Sequence, residues 1–304
     1  MGLTITTPIG IVFRVRIVSL LPSATEILFA IGAGDDVVGV THECDFPSTA
    51  NALPKLTAAS GPEMATPAEI DRHVRASIHA GSSLYLLDSA LLERLAPDLI
   101  VTQELCAVCA VSYDIVSAAA KRLRSDPRVI SLEPRTLRDV FDTMLVLGVL
   151  TDRAPQAREL VAALETRVAA LRERRRSAVP TLVLEWTDPP MSAGHWIPEV
   201  TEIAGGVPLL ANPGGNSRRL EWDAIAAADP HAVVVAPCGF DLARTEHAIA
   251  DLERIDRWRD LDARKRGRVL AMDGNAYLSR PGPRLVEAAE IVAQWYTTGA
   301  EYAG

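Results

Sequence analysis

Ile17-Val-Ser-Leu-Leu-Pro-Ser-Ala-Thr-Glu-Ile-Leu-Phe-Ala-Ile-Gly32, followed after four residues by Val37-Val-Gly-Val40, decides the fold. The apolar run Ile17 to Leu21 reads as a buried strand, Ile27 to Ile31 as helix, and Val37 to Val40 as a second strand. Ser23 with Glu26 three residues on is the pattern of a capping box, and Gly32 suits the residue after a helix end. A strand that turns directly into a helix leaves backbone N–H groups at the strand's carboxyl end. Open α/β sheets bind ligands there.

The unit has echoes further along. Leu92-Glu-Arg-Leu-Ala-Pro-Asp-Leu-Ile-Val-Thr-Gln-Glu-Leu-Cys106 is similar to Ala224-Ile-Ala-Ala-Ala-Asp-Pro-His-Ala-Val-Val-Val-Ala-Pro-Cys238. Each reads as a short helix, a Pro/Asp turn, a β-rich run and a Cys-bearing loop, which predicts two lobes built alike. Arg128 to Leu132 adds a strand to the first. The second takes strands over Thr181 to Trp186, Val233 to Val235 and Arg268 to Met272. It takes helices over Glu199 to Ala204, ending at Gly205-Gly206, and over Leu285 to Tyr296 after Pro281-Gly-Pro283. Between the lobes, Leu137 to Leu150 and Ala154 to Arg176 read as helix, with Leu160, Val161, Leu164, Val168 and Leu171 on one face. At about 1.5 Å per residue the second of these reaches roughly 30 Å, enough to cross a small domain. The expectation is an α/β protein with parallel sheets: a lobe over 1–135, a helical linker over 136–177 and a lobe over 178–304.

Composition narrows the function. A chain of 304 residues, 48% hydrophobic and 23% charged, is an ordinary globular protein with room for about two domains. A net charge of −8 disfavours nucleic acid or anionic lipid as partner. The one basic run, Arg172 and Arg174 to Arg176, closes a predicted helix, where cations offset the macrodipole. No stretch approaches the roughly 20 apolar residues of a membrane span. Met1 to Arg16 lacks the order of a secretion signal, so the chain as written is expected in the cytoplasm, or in the periplasm or at the cell surface if its start is trimmed. Gly32-Ala-Gly34 is no dinucleotide fingerprint, and Gly-x-Ser-x-Gly, His-Glu-x-x-His and the P-loop do not occur. These motifs indicate no catalysis.

Polar and aromatic residues collect at the predicted carboxyl ends of strands: His42-Glu43-Cys44, Cys106-Ala-Val-Cys109, Glu185-Trp186 and Pro237-Cys238-Gly239. Cys106-x-x-Cys109 is half of a zinc or iron–sulfur signature, which Cys44, Cys238 or His42 would have to complete. The same cysteines also read as small buried hydrophobes, and Cys106 with Cys109 as a redox pair. His73 and His79 do not share a helical face and make a poor metal pair. With aromatics at only 5%, the loop positions of Trp186, Trp196 and Tyr277, and of His195 beside Trp196, suit the wall of a ligand cleft.

The stretch from Ile17 to Gly32, Val37-Val-Gly-Val-Thr41, Asp45-Phe-Pro47, Ala96-Pro-Asp-Leu-Ile-Val101 and Ala204-Gly-Gly206 resemble the cobalamin-binding substrate-binding proteins of ABC importers, and the wider iron-siderophore-binding family. The likeness spans about residues 14–297. It implies two Rossmann-like lobes joined by one long bridging helix, with the ligand, cobalamin or another metal chelate, held between them. Carried onto this chain, Ser23, His42, Glu43, Gln103, Trp186, His195, Trp196, Phe240, Tyr277 and Arg280 would contact that ligand. The resemblance also implies export or lipid anchoring and an ABC permease as partner. Glu202 matches the importer-facing acidic residue of the second lobe, while Ala90 stands near its first-lobe counterpart. Residues 58–88 read as an insertion. The rival reading is a cytoplasmic metalloprotein in which Cys44, Cys106, Cys109 and Cys238 hold zinc or an iron–sulfur cluster.

Overall fold

The computed structural model describes residues 15–60, 64, 66–79, 84–103, 113–174 and 178–298. Two parallel four-stranded sheets carry the fold. The first contains β1 (Ile17–Ser19), β2 (Val37–Val40), β3 (Leu99–Thr102) and β4 (Arg128–Ser131), in spatial order β2-β1-β3-β4. The second contains β5 (Val179–Thr187), β6 (Gly206–Pro208), β7 (Ala232–Val235) and β8 (Val269–Ala271), in order β6-β5-β7-β8, with Pro190–Ser192 added antiparallel to β5. The two orders are the same, so the internal repeat is a repeat of topology. Its local signature survives too. Helix Ser89–Leu95 ends at Ala96 with φ +41° before β3, and helix Trp222–Ala228 ends at Asp229 with φ +46° before β7.

Both faces of each sheet are covered, as parallel sheets require. In β7, Ala232 and Val234 face one layer and Val233 and Val235 the other, following the two-residue period of a strand. The inner layer is a single apolar core running through both lobes, from Ile17 and Val101 past Met144 and Leu164 to Val234 and Trp295.

Two helices join the lobes. Leu137–Leu150 begins at a capping box made by Thr136 and Asp139, and packs on the first helix, Pro22–Ala30. Ala154–Arg174, 21 residues long, buries Val161, Leu164 and Val168 and packs on the last helix, Arg284–Thr298, where Arg167 grips Glu290 through two hydrogen bonds of 2.9 and 2.6 Å. This is the expected bridging helix.

The beginning of the chain differs from the expectation in one respect. β1 stops at Ser19, the helix starts at Pro22, and Leu21 is its N-cap with no side-chain hydrogen bond. Ser23 and Glu26 therefore form no capping box. Proline at the first helical position loses nothing, since its missing N–H would have no helical partner. Glu26 is drawn elsewhere by arginines near the other end of the chain.

Candidate functional site

A cavity of about 470 Å³ lies between the lobes. The first lobe lines it with Pro22 and Ser23 after β1, Glu43 after β2 and Gln103 after β3. The second contributes Glu185 and Trp186 at the end of β5, Cys238 and Phe240 after β7, and Asn275 and Arg280 after β8. Every one sits at or beyond the carboxyl end of a strand, where parallel sheets leave helix starts and loops free to meet a ligand. A further wall comes from helix Pro67–His79, whose Ile70, Asp71 and Val74 share one face, and from Tyr85.

Of the residues singled out from the sequence, Ser23, Glu43, Gln103, Trp186, His195, Trp196, Phe240, Arg280 and Cys238 line the cavity. His42 and Tyr277 are not among the lining residues. The His42 ring lies 5.7 Å from that of Tyr85, its Nδ1 2.7 Å from Thr57 Oγ1, and the Tyr277 hydroxyl donates to Glu287 at 3.5 Å. Cys44 is a core residue with its Sγ 3.0 Å from Thr25 Oγ1, and burial pushes its thiol up to about 11. A thiol so placed stays protonated and packs as a small hydrophobe. Cys106 and Cys109 lie outside the described residues. Among the described residues, no three His, Cys, Asp or Glu side chains gather as a metal site.

The cleft walls are aromatic. Trp186 meets Phe240 edge to face with centroids 5.3 Å apart, and the guanidinium of Arg244 lies 4.0 Å over the Phe240 ring. Trp196, almost fully buried, donates from its indole nitrogen to the carbonyl of Leu278 at 2.9 Å, which ties the loop after β8 to the wall. His195 beside it has φ +47°, a left-handed conformation that a non-glycine residue adopts at some cost, held by a 2.7 Å bond from its N–H to the carbonyl of Gly215. Burial lowers the His195 pKa although Asn216 Oδ1, 3.1 Å from Nε2, works the other way, so the ring stays neutral near pH 7.

Arg280 lies at the edge of the cleft but points its charge at protein. Only 5% exposed, it donates to both carboxylate oxygens of Asp45, to Glu26 at 3.3 Å, to the Glu43 carbonyl at 3.0 Å and to Asn275 at 2.9 Å. Arg284 closes the network with bonds of 3.0 and 2.6 Å to Glu26. Two carboxylates of the first lobe thus meet two arginines of the second, and the lobes are clamped beside the cleft. Burial raises the Asp45 carboxyl, but Arg280 and then Arg284 outweigh it and hold the group below the usual aspartate range.

The sequence pointed to the strand end Glu185-Trp186 and favoured its tryptophan. The structure adds the glutamate: Glu185 lines the cavity and accepts from the backbone N–H of Gly194 and the hydroxyl of Ser217. Burial raises its pKa, only partly offset by those two donors. Arg244 also lines the cleft without having been singled out, while Met191 and Asn275 fall within the loops, Trp186 to Trp196 and Asn275 to Arg280, that the resemblance placed on its wall.

Two α/β lobes with parallel sheets, spanned by a helix and holding a cavity between their strand ends, define a two-lobed solute-binding protein. The chain belongs to the periplasmic binding protein family, whose model it matches over residues 17–276. It is 23% identical over 292 residues to a vitamin B12-binding protein of Vibrio cholerae, covering 92% of this chain and 88% of the relative. It is equally 23% identical, over 290 residues, to an uncharacterized ABC transporter substrate-binding lipoprotein of Bacillus subtilis, with 92% and 79% covered. Among solved structures, a possible iron-binding periplasmic solute-binding protein of Staphylococcus epidermidis superposes with a TM-score of 0.70 at 20% identity, covering 94% of this chain and all of that one. A periplasmic heme-binding protein of Pseudomonas aeruginosa gives 0.70 at 19% identity, with 95% and 94% covered. The expected family and the two-lobed architecture are both met.

Proposed function

We propose that the chain captures a metal chelate of the corrinoid or porphyrin type in the interlobe cleft and presents it to an ABC importer, with no chemistry of its own. The observation that carries this is the cavity itself: about 470 Å³, bounded by Trp186, Trp196, Phe240 and Tyr85, at the strand ends of both lobes. Flat apolar rings suit a flat macrocycle, and the volume falls within the ~300–1,000 Å³ common for small-molecule sites. The names of the relatives, a vitamin B12-binding protein and heme- and iron-binding proteins, support the same ligand class. Relatives described as periplasmic or as a lipoprotein support work outside the cytoplasmic membrane, and no helix among the described residues is long and apolar enough to cross one. Glu202, exposed on helix Ile197–Ile203, is available to a permease.

Titration of the purified chain with cyanocobalamin and with hemin, read by tryptophan fluorescence and by calorimetry, tests the reading. Saturable quenching with a Kd of about 1 μM or tighter is expected for at least one of them, and the absence of binding to either at ~1 mM overturns it. Trp186→Ala should weaken that binding about tenfold or more, as loss of a central aromatic anchor does, while Trp186→Phe retains most of it.

A further inference from the structure

The cleft is short of positive charge. Among its described lining residues the carboxylates are Glu43, Asp71 and Glu185, and the basic groups are His195, Arg244 and Arg280. Arg280 is already spent on Asp45 and Glu26, and His195 is held neutral by its burial. Arg244 remains, exposed and stacked on Phe240. On the acidic side, Asp71 is answered in part by Arg75 one turn along its helix at 3.0 Å, whereas Glu43 is met by the hydroxyl of Tyr85 at 3.2 Å and Glu185 by a hydroxyl and an amide. Among the described residues Glu185 makes no ion pair, and burial raises its pKa, so an N–H donor that stabilises its carboxylate is welcome there and a second carboxylate is not.

We propose that Glu185, with Glu43 and Asp71, makes the cleft a charge filter that accepts chelates whose edge carries neutral N–H or O–H donors and rejects those whose edge carries carboxylates. This rests on the reading that the cleft takes a chelate. A bound carboxylate needs arginine or lysine donors in place of its lost hydration. Here it would meet like charge in a partly desolvated space, where repulsion is less screened than in water. A carboxamide on the same edge has the opposite fate. Each oxygen of Glu185 accepts one bond from the protein and keeps a second lone pair for an amide N–H. Glu185 is thereby a specificity-determining residue: its removal changes which chelate is preferred as well as how tightly one is held.

The test centres on two ligands that share ring and metal, a corrinoid and its monoacid, and adds a dicarboxylate porphyrin. The full chain is titrated calorimetrically with cyanocobalamin, with the monocarboxylic acid obtained by hydrolysing one of its propionamides, and with hemin, whose edge bears two carboxylates. The expected result is that the monoacid binds about tenfold or more weakly than its parent and hemin more weakly still. Glu185→Gln and Asp71→Asn should each narrow the parent-to-monoacid ratio severalfold. A monoacid or hemin that binds as tightly as the parent overturns the filter, as does a ratio unmoved by either substitution. Asp71 sits on a helix at the solvent boundary, so Asp71→Asn and the wild-type ratio decide the matter even if Glu185→Gln fails to fold. Binding of none of the three ligands overturns the chelate reading, a result distinct from binding without charge discrimination.

Discussion

Arg280 donates from its two terminal nitrogens to five oxygens, on Glu26, Glu43, Asp45 and Asn275, and so turns both toward the first lobe and its own loop. Glu26 is 3% exposed and has only Arg280 and Arg284 as charged partners in that network. Arg280→Ala therefore leaves a buried carboxylate half-compensated and should destabilise the protein by about 3 kcal/mol, measured from urea midpoints. Arg280→Lys should recover only part of the loss, because a point ammonium cannot serve a forked set of acceptors. A cost within experimental error for Arg280→Ala would show that the clamp is dispensable. The sequence placed Arg280 on the cleft but could not show what it grips. The deciding contact, Arg280 to Glu26, spans 254 positions, whereas the capping-box reading of Glu26 used only its local spacing from Ser23. The same limit applies to His42 and Tyr277. Position after a strand tells that a residue is near the cleft, and side-chain direction is settled by neighbours such as Thr57 and Glu287.

At the scale of elements, the strand–helix–strand unit and its echo were legible because buried parallel strands are near-continuous apolar runs and turns carry Pro, Asp and Gly. The echo extends to the left-handed residue ending each short helix, and that permits a test. Ala96, at φ +41°, has a side chain that this conformation penalises, and glycine would remove the penalty. Ala96→Gly should raise stability by about 0.5–1 kcal/mol in thermal unfolding, against the usual destabilising effect of glycine. Helix Pro67–His79 was less legible. It lies in the segment read as an insertion, yet Ile70 and Val74, one turn apart, face the cavity while remaining only partly buried. An apolar face left open toward the cleft serves a ligand rather than the core. Val74→Asp should weaken chelate binding about tenfold while leaving the melting temperature within a few degrees of wild type. A matching fall in both would make the helix a structural prop instead. The spacing Ile70, Asp71, Val74 was the available signal, and it is the common spacing of any amphipathic helix.

Across the whole molecule, three kinds of connection hold the lobes together: the helix pair Leu137–Leu150 and Ala154–Arg174, the apolar core shared by both sheets, and the clamp of Glu26 and Asp45 with Arg280 and Arg284. Length, composition and helical periodicity revealed the first, and hydrophobic patterning implied the second. The third depends on residues from opposite ends of the chain meeting, which only the folded topology brings about. The third titrates. Asp45 in the folded protein has its pKa held below the ordinary value, because the arginines outweigh its burial. A carboxylate of that kind contributes stability that is fully present above the unfolded aspartate pKa of about 3.9, and that is lost as pH falls through the lower folded value. Acid should therefore loosen the lobes beside the cleft while the helix pair and the core still join them. Asp45→Asn, which no longer titrates, should lower stability at pH 7 and flatten its decline between about pH 5 and pH 3 relative to wild type. Urea unfolding followed at both ends of that range decides the point. Parallel declines for the two proteins would assign the acid sensitivity elsewhere, with Asp139 and Glu253, whose pKa values are also lowered, as the next groups to replace.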